Sequence, residues 1–100
     1  MALYHIVLFR LKPGVTKAQL NQWTSVANGM VGQVPGLRQL KAGTPLAATA
    51  ARAKGFDMGL VAILEKPDDL PTYAAHPAHL EVQKLREELC EDTLVYDLEF

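Results

Sequence analysis

The sequence has one cysteine, no long apolar run and no excess of either charge, and each shortage excludes a class of protein. Cys90 has no second cysteine to pair with, so an intrachain disulfide is excluded and we expect a reducing, cytoplasmic location. No apolar run approaches the roughly 20 residues that cross a bilayer. The first residues also lack the basic segment and cleavage site of a secretory signal, so we expect neither export nor membrane association.

Acidic and basic residues are nearly balanced and interspersed, with 11 Asp and Glu against 10 Lys and Arg. Binding to nucleic acid or to an anionic membrane requires a basic patch, which this pattern does not supply. The expected partners are therefore a small hydrophobic molecule or another protein chain. The sequence also has no glycine-rich phosphate loop or dinucleotide fingerprint, and we predict no cofactor.

The length of the chain fits one core. One hundred residues with 49% hydrophobic content are too few for two independent cores. Residues 1–100 are therefore predicted to form one domain.

The first element of this domain is a strand over residues 3–12, which are rich in β-branched and aromatic types and stop at Pro13. Alternation places Leu3, His5, Val7, Phe9 and Leu11 on one face of this strand, and Tyr4, Ile6 and Leu8 on the other.

A helix is predicted after the first strand. Thr16 followed by Gln19 is a capping-box pattern, in which each side chain satisfies an unpaired backbone donor at a helix start. Pro35 and Gly36 end the helical pattern. Between these signals, apolar residues recur at helical spacing and predict one buried stripe made of Leu20, Trp23, Ala27, Val31 and Val34.

The remaining patterns predict two helical segments and three strands. The strands cover residues 37–42, 56–64 and 93–100, and an alanine-rich stretch at residues 47–54 is expected to be a mobile flap. Helical segments are predicted over residues 66–75 and 77–89, because Pro77 pushes the residue before it out of the helical region. The order strand, helix, strand, strand, helix, strand predicts an α+β, ferredoxin-like fold, with helices on one face of a four-stranded antiparallel sheet.

Two helices cover only one face of such a sheet, and the other face is also apolar in this sequence. Tyr4, Ile6, Leu8, Val61 and Ile63, or the residues of the opposite face, would then form an exposed patch too large for a monomer. Closed twofold symmetry is the usual way to bury a self-complementary surface. We therefore expect a homodimer in which two sheets pack face to face as a dimeric α+β barrel.

Three segments resemble the stress-responsive α/β-barrel family called Dabb: residues 5–12, 55–57 and 73–79, the last being Tyr-Ala-Ala-His-Pro-Ala-His. The similarity extends over essentially the whole chain, and this last segment is its most specific part. The resemblance implies a ferredoxin-like dimer. Polyketide cyclases of that family close a ring by aldol chemistry without a cofactor, and the residues that line their pocket fall here on His5, Tyr73 and His79.

These residue types suit aldol chemistry. The reaction needs a base that removes a proton next to a carbonyl and a donor that stabilises the developing oxyanion. Histidine titrates near neutrality, so the resemblance implies His79 as the general base, with Tyr73 and His5 as donors or orienting groups. Each has a structural alternative: a hydrogen-bonded core histidine at His5, a packed aromatic at Tyr73 and a solvent-facing imidazole at His79.

Five further interpretations concern neighbouring residues. His76 precedes a helix-opening proline and is predicted to cap that helix. His76 and His79 could share a transition metal, but no carboxylate or cysteine lies beside them, so we predict no transition-metal site. The family resemblance leaves open a magnesium ion held by backbone carbonyls near Val31, Val34 and Leu37. Cys90 is expected to be an inert thiol. Trp23 is expected in the core, with the alternative that it borders the pocket.

Three functions stay open at this point. The first is a cofactor-independent enzyme of the cyclase or lyase type acting on a hydrophobic carbonyl compound. The second is a non-catalytic stress-protective or binding dimer. The third is a cofactor-free monooxygenase on the same fold, since one fold supports several activities.

Overall fold

The computed structural model describes residues 1–100 and contains four strands, three α-helices and one 3₁₀ helix. The strands form one antiparallel sheet in the order β2-β3-β1-β4, which confirms the predicted ferredoxin-like fold. None of the helices is long and apolar enough to cross a membrane. The elements in chain order are β1 (Leu3–Leu11), α1 (Lys17–Asn28), β2 (Leu37–Gly43), the 3₁₀ helix (Ala47–Ala53), β3 (Met58–Leu64), α2 (Asp69–Ala75), α3 (Pro77–Leu89) and β4 (Cys90–Glu99).

The core lies between the sheet and the helices. Strand alternation selects its residues, because every second side chain of β1 and β3 points to the same side of the sheet. Helix α1 contributes Trp23 and Ala27 to this core, and α3 contributes Val82 and Leu89. On the strands, the buried residues are Leu3, Val7, Phe9, Leu37, Leu40, Met58, Leu60, Ala62 and Leu64.

The predicted capping box opens α1. The backbone N–H of Gln19 donates to Thr16 Oγ1 at 3.2 Å, and the N–H of Thr16 donates to Gln19 Oε1 at 2.8 Å. Both bonds satisfy donors that the first helical turn leaves unpaired. The cap places the apolar face of α1 against the sheet.

The predicted end of this helix was wrong. Helix α1 stops at Asn28, and residues 29–34 form turns instead of two more helical turns. Gly32 has a φ of +93°, which no right-handed helix contains. Val31 is consequently 41% exposed and does not belong to the buried stripe, whereas Met30 and Val34 are buried.

Other boundaries differ by a few residues. Strand β3 begins at Met58 rather than residue 56, β4 begins at Cys90 rather than residue 93, and α2 begins at Asp69. The alanine-rich stretch forms a 3₁₀ helix with no buried residue, as expected from its small side chains. Arg10 holds its end, because its guanidinium donates to the Lys54 carbonyl at 3.1 Å and lies 4.8 Å from the centre of the Phe56 ring.

The outer face of the sheet carries the predicted apolar patch, and β4 enlarges it. Register pairs Tyr4 with Leu98, Ile6 with Tyr96, and Leu8 with Leu94. Tyr96 is 62% exposed, and no helix covers this side. We call this surface the outer sheet face; it comprises Tyr4, Ile6, Leu8, Val61, Ile63, Leu94, Tyr96 and Leu98.

Gly36 lies where the chain enters β2, and its conformation depends on having no side chain. Its φ is +82°, and a Cβ built there would collide with the carboxylate of Asp69. That carboxylate accepts a hydrogen bond from the Lys66 backbone N–H at 3.2 Å at the start of α2. The Gly36 carbonyl in turn accepts a hydrogen bond from the Glu65 backbone N–H at 2.8 Å. Gly36 therefore links the turn before β2 to the segment between β3 and α2.

We expect Gly36→Ala to destabilise the protein more than Gly14→Ala. Both glycines have positive φ, but a Cβ at Gly14 meets nothing within 4 Å. The left-handed conformation costs an alanine about 1–2 kcal/mol, and the collision with Asp69 adds roughly 1–3 kcal/mol. Urea unfolding of both variants measures the difference, and equal losses of unfolding free energy would contradict this account.

Candidate active site

A cavity of about 270 Å³ lies between the inner face of the sheet and helices α2 and α3. Nine of its fourteen lining residues are hydrophobic, so it suits a largely apolar ligand. The three residues singled out in the sequence, His5, Tyr73 and His79, all line it. Val95, which is 50% exposed, lines the side of the cavity formed by β4.

The break between α2 and α3 brings Tyr73 and His79 together. His76 has an extended backbone, with φ −67° and ψ 138°, and its Nδ1 accepts a hydrogen bond from the Ala78 backbone N–H at 3.0 Å. It therefore caps α3, with Pro77 in the first helical turn. His5 reaches the same cavity from β1, where alternation turns it toward the helices. Three separate elements thus supply the three rings.

The Tyr73 ring contacts both imidazoles. Its centre is 5.3 Å from the His5 ring in an edge-on arrangement and 4.6 Å from the His79 ring. Tyr73 is 2% exposed. Burial, followed by the negative charge of Asp97, raises the pKa of Tyr73 to about 12. Its phenol is therefore protonated at neutral pH and available as a hydrogen-bond donor.

His79 is held in one orientation by the backbone. Its Nδ1 lies 3.0 Å from the carbonyl oxygen of Ala74, which can only accept a hydrogen bond. Nδ1 therefore carries the proton, and Nε2 keeps its lone pair. Burial, followed by the charges of His5 and Arg86, lowers the pKa of His79 below its usual value of 6.5, against an opposing effect of the bond to Ala74. The imidazole is neutral at pH 7 and able to accept a proton.

Asp97 orients His5, and the sequence patterns did not single it out. His5 Nδ1 lies 2.5 Å from Asp97 Oδ1, with 12% and 34% of the two side chains exposed. An ionised carboxylate accepts only, so His5 Nδ1 carries the proton and Nε2 is free. The two residues are direct partners in the β1–β4 ladder. An aspartate on the inner face of a strand, opposite a histidine, was the signal available in the sequence.

The family model for the Stress responsive A/B Barrel Domain, Dabb, matches residues 3–100. The chain belongs to the Dabb family. No curated protein matches it.

Solved structures of similar shape include an enzyme. The hydroxynitrile lyase of Passiflora edulis is 26% identical, with a TM-score of 0.84, over 97% of this chain and 91% of that one. A dimeric ferredoxin-like protein from Thermobifida fusca is 25% identical, with a TM-score of 0.85, over 100% and 92%. Another from Jannaschia is 21% identical, with a TM-score of 0.87, over the whole of both chains. The functions of these two are not known.

Some of the other residues that line the cavity were anticipated from the sequence, and others were not. Trp23 borders the cavity, as one alternative held, and its buried indole N–H has no hydrogen-bond partner. Gln83 and Arg86 also line it, and the sequence patterns did not single them out. The long side chain of Arg86 is half-buried, and helical periodicity places it on the side of α3 that carries His79 and Val82.

Two other predictions concern the Cys90 thiol and metal binding. Cys90 does not line the cavity, and burial raises the pKa of its thiol to about 11, so the thiol is protonated at neutral pH and a poor nucleophile. The chain contains no cluster of three His, Cys, Asp or Glu side chains that could hold a metal ion. His76 uses its Nδ1 as a helix cap.

We expect the His79 imidazole to titrate with a midpoint below pH 6.5, because burial disfavours its charged form. Nuclear magnetic resonance of the ring protons, followed from pH 4.5 to 8 and assigned with a His79→Gln variant, measures the midpoint. A value at or above 6.5 would contradict the described environment of this ring.

Proposed function

We propose that this Dabb protein is a cofactor-independent acid/base enzyme, of the lyase or aldol-cyclase type, that acts on a small hydrophobic carbonyl compound. The observation that carries the proposal is the meeting of one buried phenol and two oriented imidazoles in an apolar cavity. The likeness to a hydroxynitrile lyase at 26% identity supports the lyase class. Polar groups concentrated in one apolar cavity are typical of a binding or active site.

In the proposed mechanism His79 is the general base. Its Nε2 lone pair removes a proton from the carbon next to a carbonyl, and the electron pair of that C–H bond becomes an enolate. In an aldol reaction the enolate carbon then forms a bond to a second carbonyl carbon, whose oxygen becomes an alkoxide. The proton held on His79 returns to that oxygen, so the imidazole ends the cycle neutral.

Tyr73 and His5 have the complementary role. The protonated Tyr73 phenol donates a hydrogen bond to the oxygen on which negative charge develops, and a donor of this kind in a site shielded from water contributes strongly to rate. Asp97 holds the His5 ring so that its Nε2 faces away from the carboxylate. His5 thereby orients the substrate or relays a proton. The proposed reaction therefore uses only side chains of this protein to remove and return protons.

Replacement of the proposed groups is expected to remove turnover without unfolding the protein. A suitable probe is heptane-2,4,6-trione, whose aldol closure with loss of water gives orcinol. Mandelonitrile, which gives up its hydroxyl proton as cyanide leaves and so yields benzaldehyde and hydrogen cyanide, tests the lyase alternative. His79→Gln removes the base and should lower kcat by about 10²–10⁴-fold. Tyr73→Phe removes one donor and should lower kcat by about 10²–10³-fold.

The control for this experiment is Cys90→Ser, which alters a titratable group outside the cavity. Liquid chromatography of the products measures rates, and circular dichroism checks the fold of each variant. Parent-like rates in folded His79→Gln and Tyr73→Phe variants would refute the assigned roles. No turnover by the parent of either probe, or of the carboxylate-bearing trione 3,5,7-trioxooctanoate, would favour a non-catalytic binding dimer.

The pH dependence of kcat/KM follows from the shifted pKa values. The base must be neutral, so activity falls as pH decreases through the pKa of His79, which lies below 6.5. The donor must be protonated, and the pKa of Tyr73 at about 12 predicts no loss from this group up to pH 10. A rate profile from pH 5 to 10 tests both limbs. An acid limb centred above 6.5 would contradict His79 as the base.

We also propose that the chain forms a homodimer through the outer sheet face. Its eight apolar side chains lie on β1, β3 and β4, on the side of the sheet that no helix covers. Water contact with such a surface is unfavourable by about 25 cal/mol per Å² of apolar area. The structures from Thermobifida fusca and Jannaschia are described as dimeric, which supports the proposal.

A charge on that face is expected to dissociate the dimer. Tyr96→Lys places an ammonium group opposite Ile6, where burial against a second sheet would be unfavourable. Light scattering on a sizing column should show a dimer for the parent and a monomer for this variant at micromolar concentration. Leu80→Lys, at a 50% exposed leucine of α3, is the control and should stay dimeric. A parent that is monomeric, or a Tyr96→Lys variant that is dimeric, would contradict the proposed interface.

A further inference from the structure

Arg86 is a cationic side chain at the cavity that the proposed mechanism does not use. Helix α3 carries His79, Val82 and Arg86 at intervals of three and four residues, so the three side chains share one face. All three line the cavity. The guanidinium is permanently charged at any pH at which the protein is folded.

The charge of Arg86 is not neutralised within the chain. The three ion pairs of the structure involve other residues, and no hydrogen bond of its guanidinium is formed. Asp97 is the one acidic residue among those that line the cavity, and its carboxylate is bound to His5. A half-buried guanidinium beside mostly apolar walls therefore has its donors available. Its planar, forked donors match the two oxygens of a carboxylate.

We propose that Arg86 binds the carboxylate of the substrate, so that the cavity selects small oxo-carboxylic acids over neutral carbonyl compounds. The substrate's carbonyl then lies near Tyr73 and His79, and its carboxylate lies at the Arg86 end. This inference names the substrate class of the proposed function and rests on it for the placement of the carbonyl. The carboxylate site itself depends only on the position of Arg86.

The dimensions of α3 limit the length of such a substrate. Seven residues separate His79 from Arg86, which corresponds to about 10 Å along a helix axis. Long helical side chains lean toward the N-terminus, so the guanidinium reaches back in the direction of His79. The two recognised groups are thus separated by less than about 10 Å, which a substituted benzene ring spans. The 270 Å³ cavity exceeds the engineered cavity of roughly 150 Å³ that holds benzene.

A pair of matched ligands tests the carboxylate site. 4-Acetylbenzoate has a ketone and a carboxylate across a ring, and 4-acetylbenzamide has nearly the same shape without the charge. Calorimetric titration of the parent should show that the acid binds about 10- to 100-fold more tightly than the amide, because a charge-assisted bond is lost with the amide. Arg86→Gln should reduce this preference to less than threefold.

Two further variants separate local binding from general effects of charge. Arg86→Lys keeps the cation but loses the forked donors, and should keep part of the preference. Lys84→Gln removes one positive charge from the exposed side of the same helix and should leave the preference unchanged. Equal affinity of the parent for both ligands, no binding of either one, or a preserved preference in Arg86→Gln would each overturn the proposal.

The binding result is independent of turnover. A parent that prefers the acid through Arg86 but converts neither the two neutral probes nor 3,5,7-trioxooctanoate, a trione that carries a carboxylate, would retain the carboxylate site and lose the proposed catalysis. A parent that converts the neutral trione and shows no preference for the acid would retain catalysis and lose the carboxylate site. The two proposals therefore fail on different measurements.

Discussion

The central strand β1 must bury both of its faces, and the rest of the structure follows from that requirement. Its inner face packs Leu3, Val7 and Phe9 against the helices. Its outer face presents Tyr4, Ile6 and Leu8, which stay partly exposed. Apolar surface on two sides of one sheet favours two different partners, the chain's own helices on one side and, as proposed, a second sheet on the other.

The same strand supplies His5, which interrupts the apolar inner face at the point where helix packing leaves a cavity. The position of this polar side chain among apolar ones is tolerated because its Nδ1–H donates a hydrogen bond to the Asp97 carboxylate on the neighbouring strand, at 2.5 Å. Tyr73 and His79 reach the cavity because His76 and Pro77 divide what would otherwise be one helix into two. A single backbone interruption thus sets the direction of two side chains that lie six residues apart.

Burial has opposite consequences for the two titratable groups that meet there. It raises the pKa of Tyr73 to about 12 and lowers that of His79, because a less polar environment disfavours the charged form of each. The phenol stays a donor and the imidazole stays an acceptor over the same range of pH. This separation suits acid/base chemistry in the proposed cavity, where Arg86 adds a fixed positive charge at one end.

Local sequence determined the order of elements, which residues of β1 and β3 share a face, the capping box of α1 and the break before Pro77, since each depends on residues within a few positions of one another. The convergence of the three rings followed from family resemblance. It did not follow from spacing, because His5 lies 68 residues before Tyr73 and only the fold brings them together. The premature end of α1 required Gly32 to adopt a positive φ, and glycine is compatible with several conformations. Asp97 and Arg86 were assigned by tertiary structure alone, because strand pairing and helix packing decide whether a charged residue faces water or a cavity.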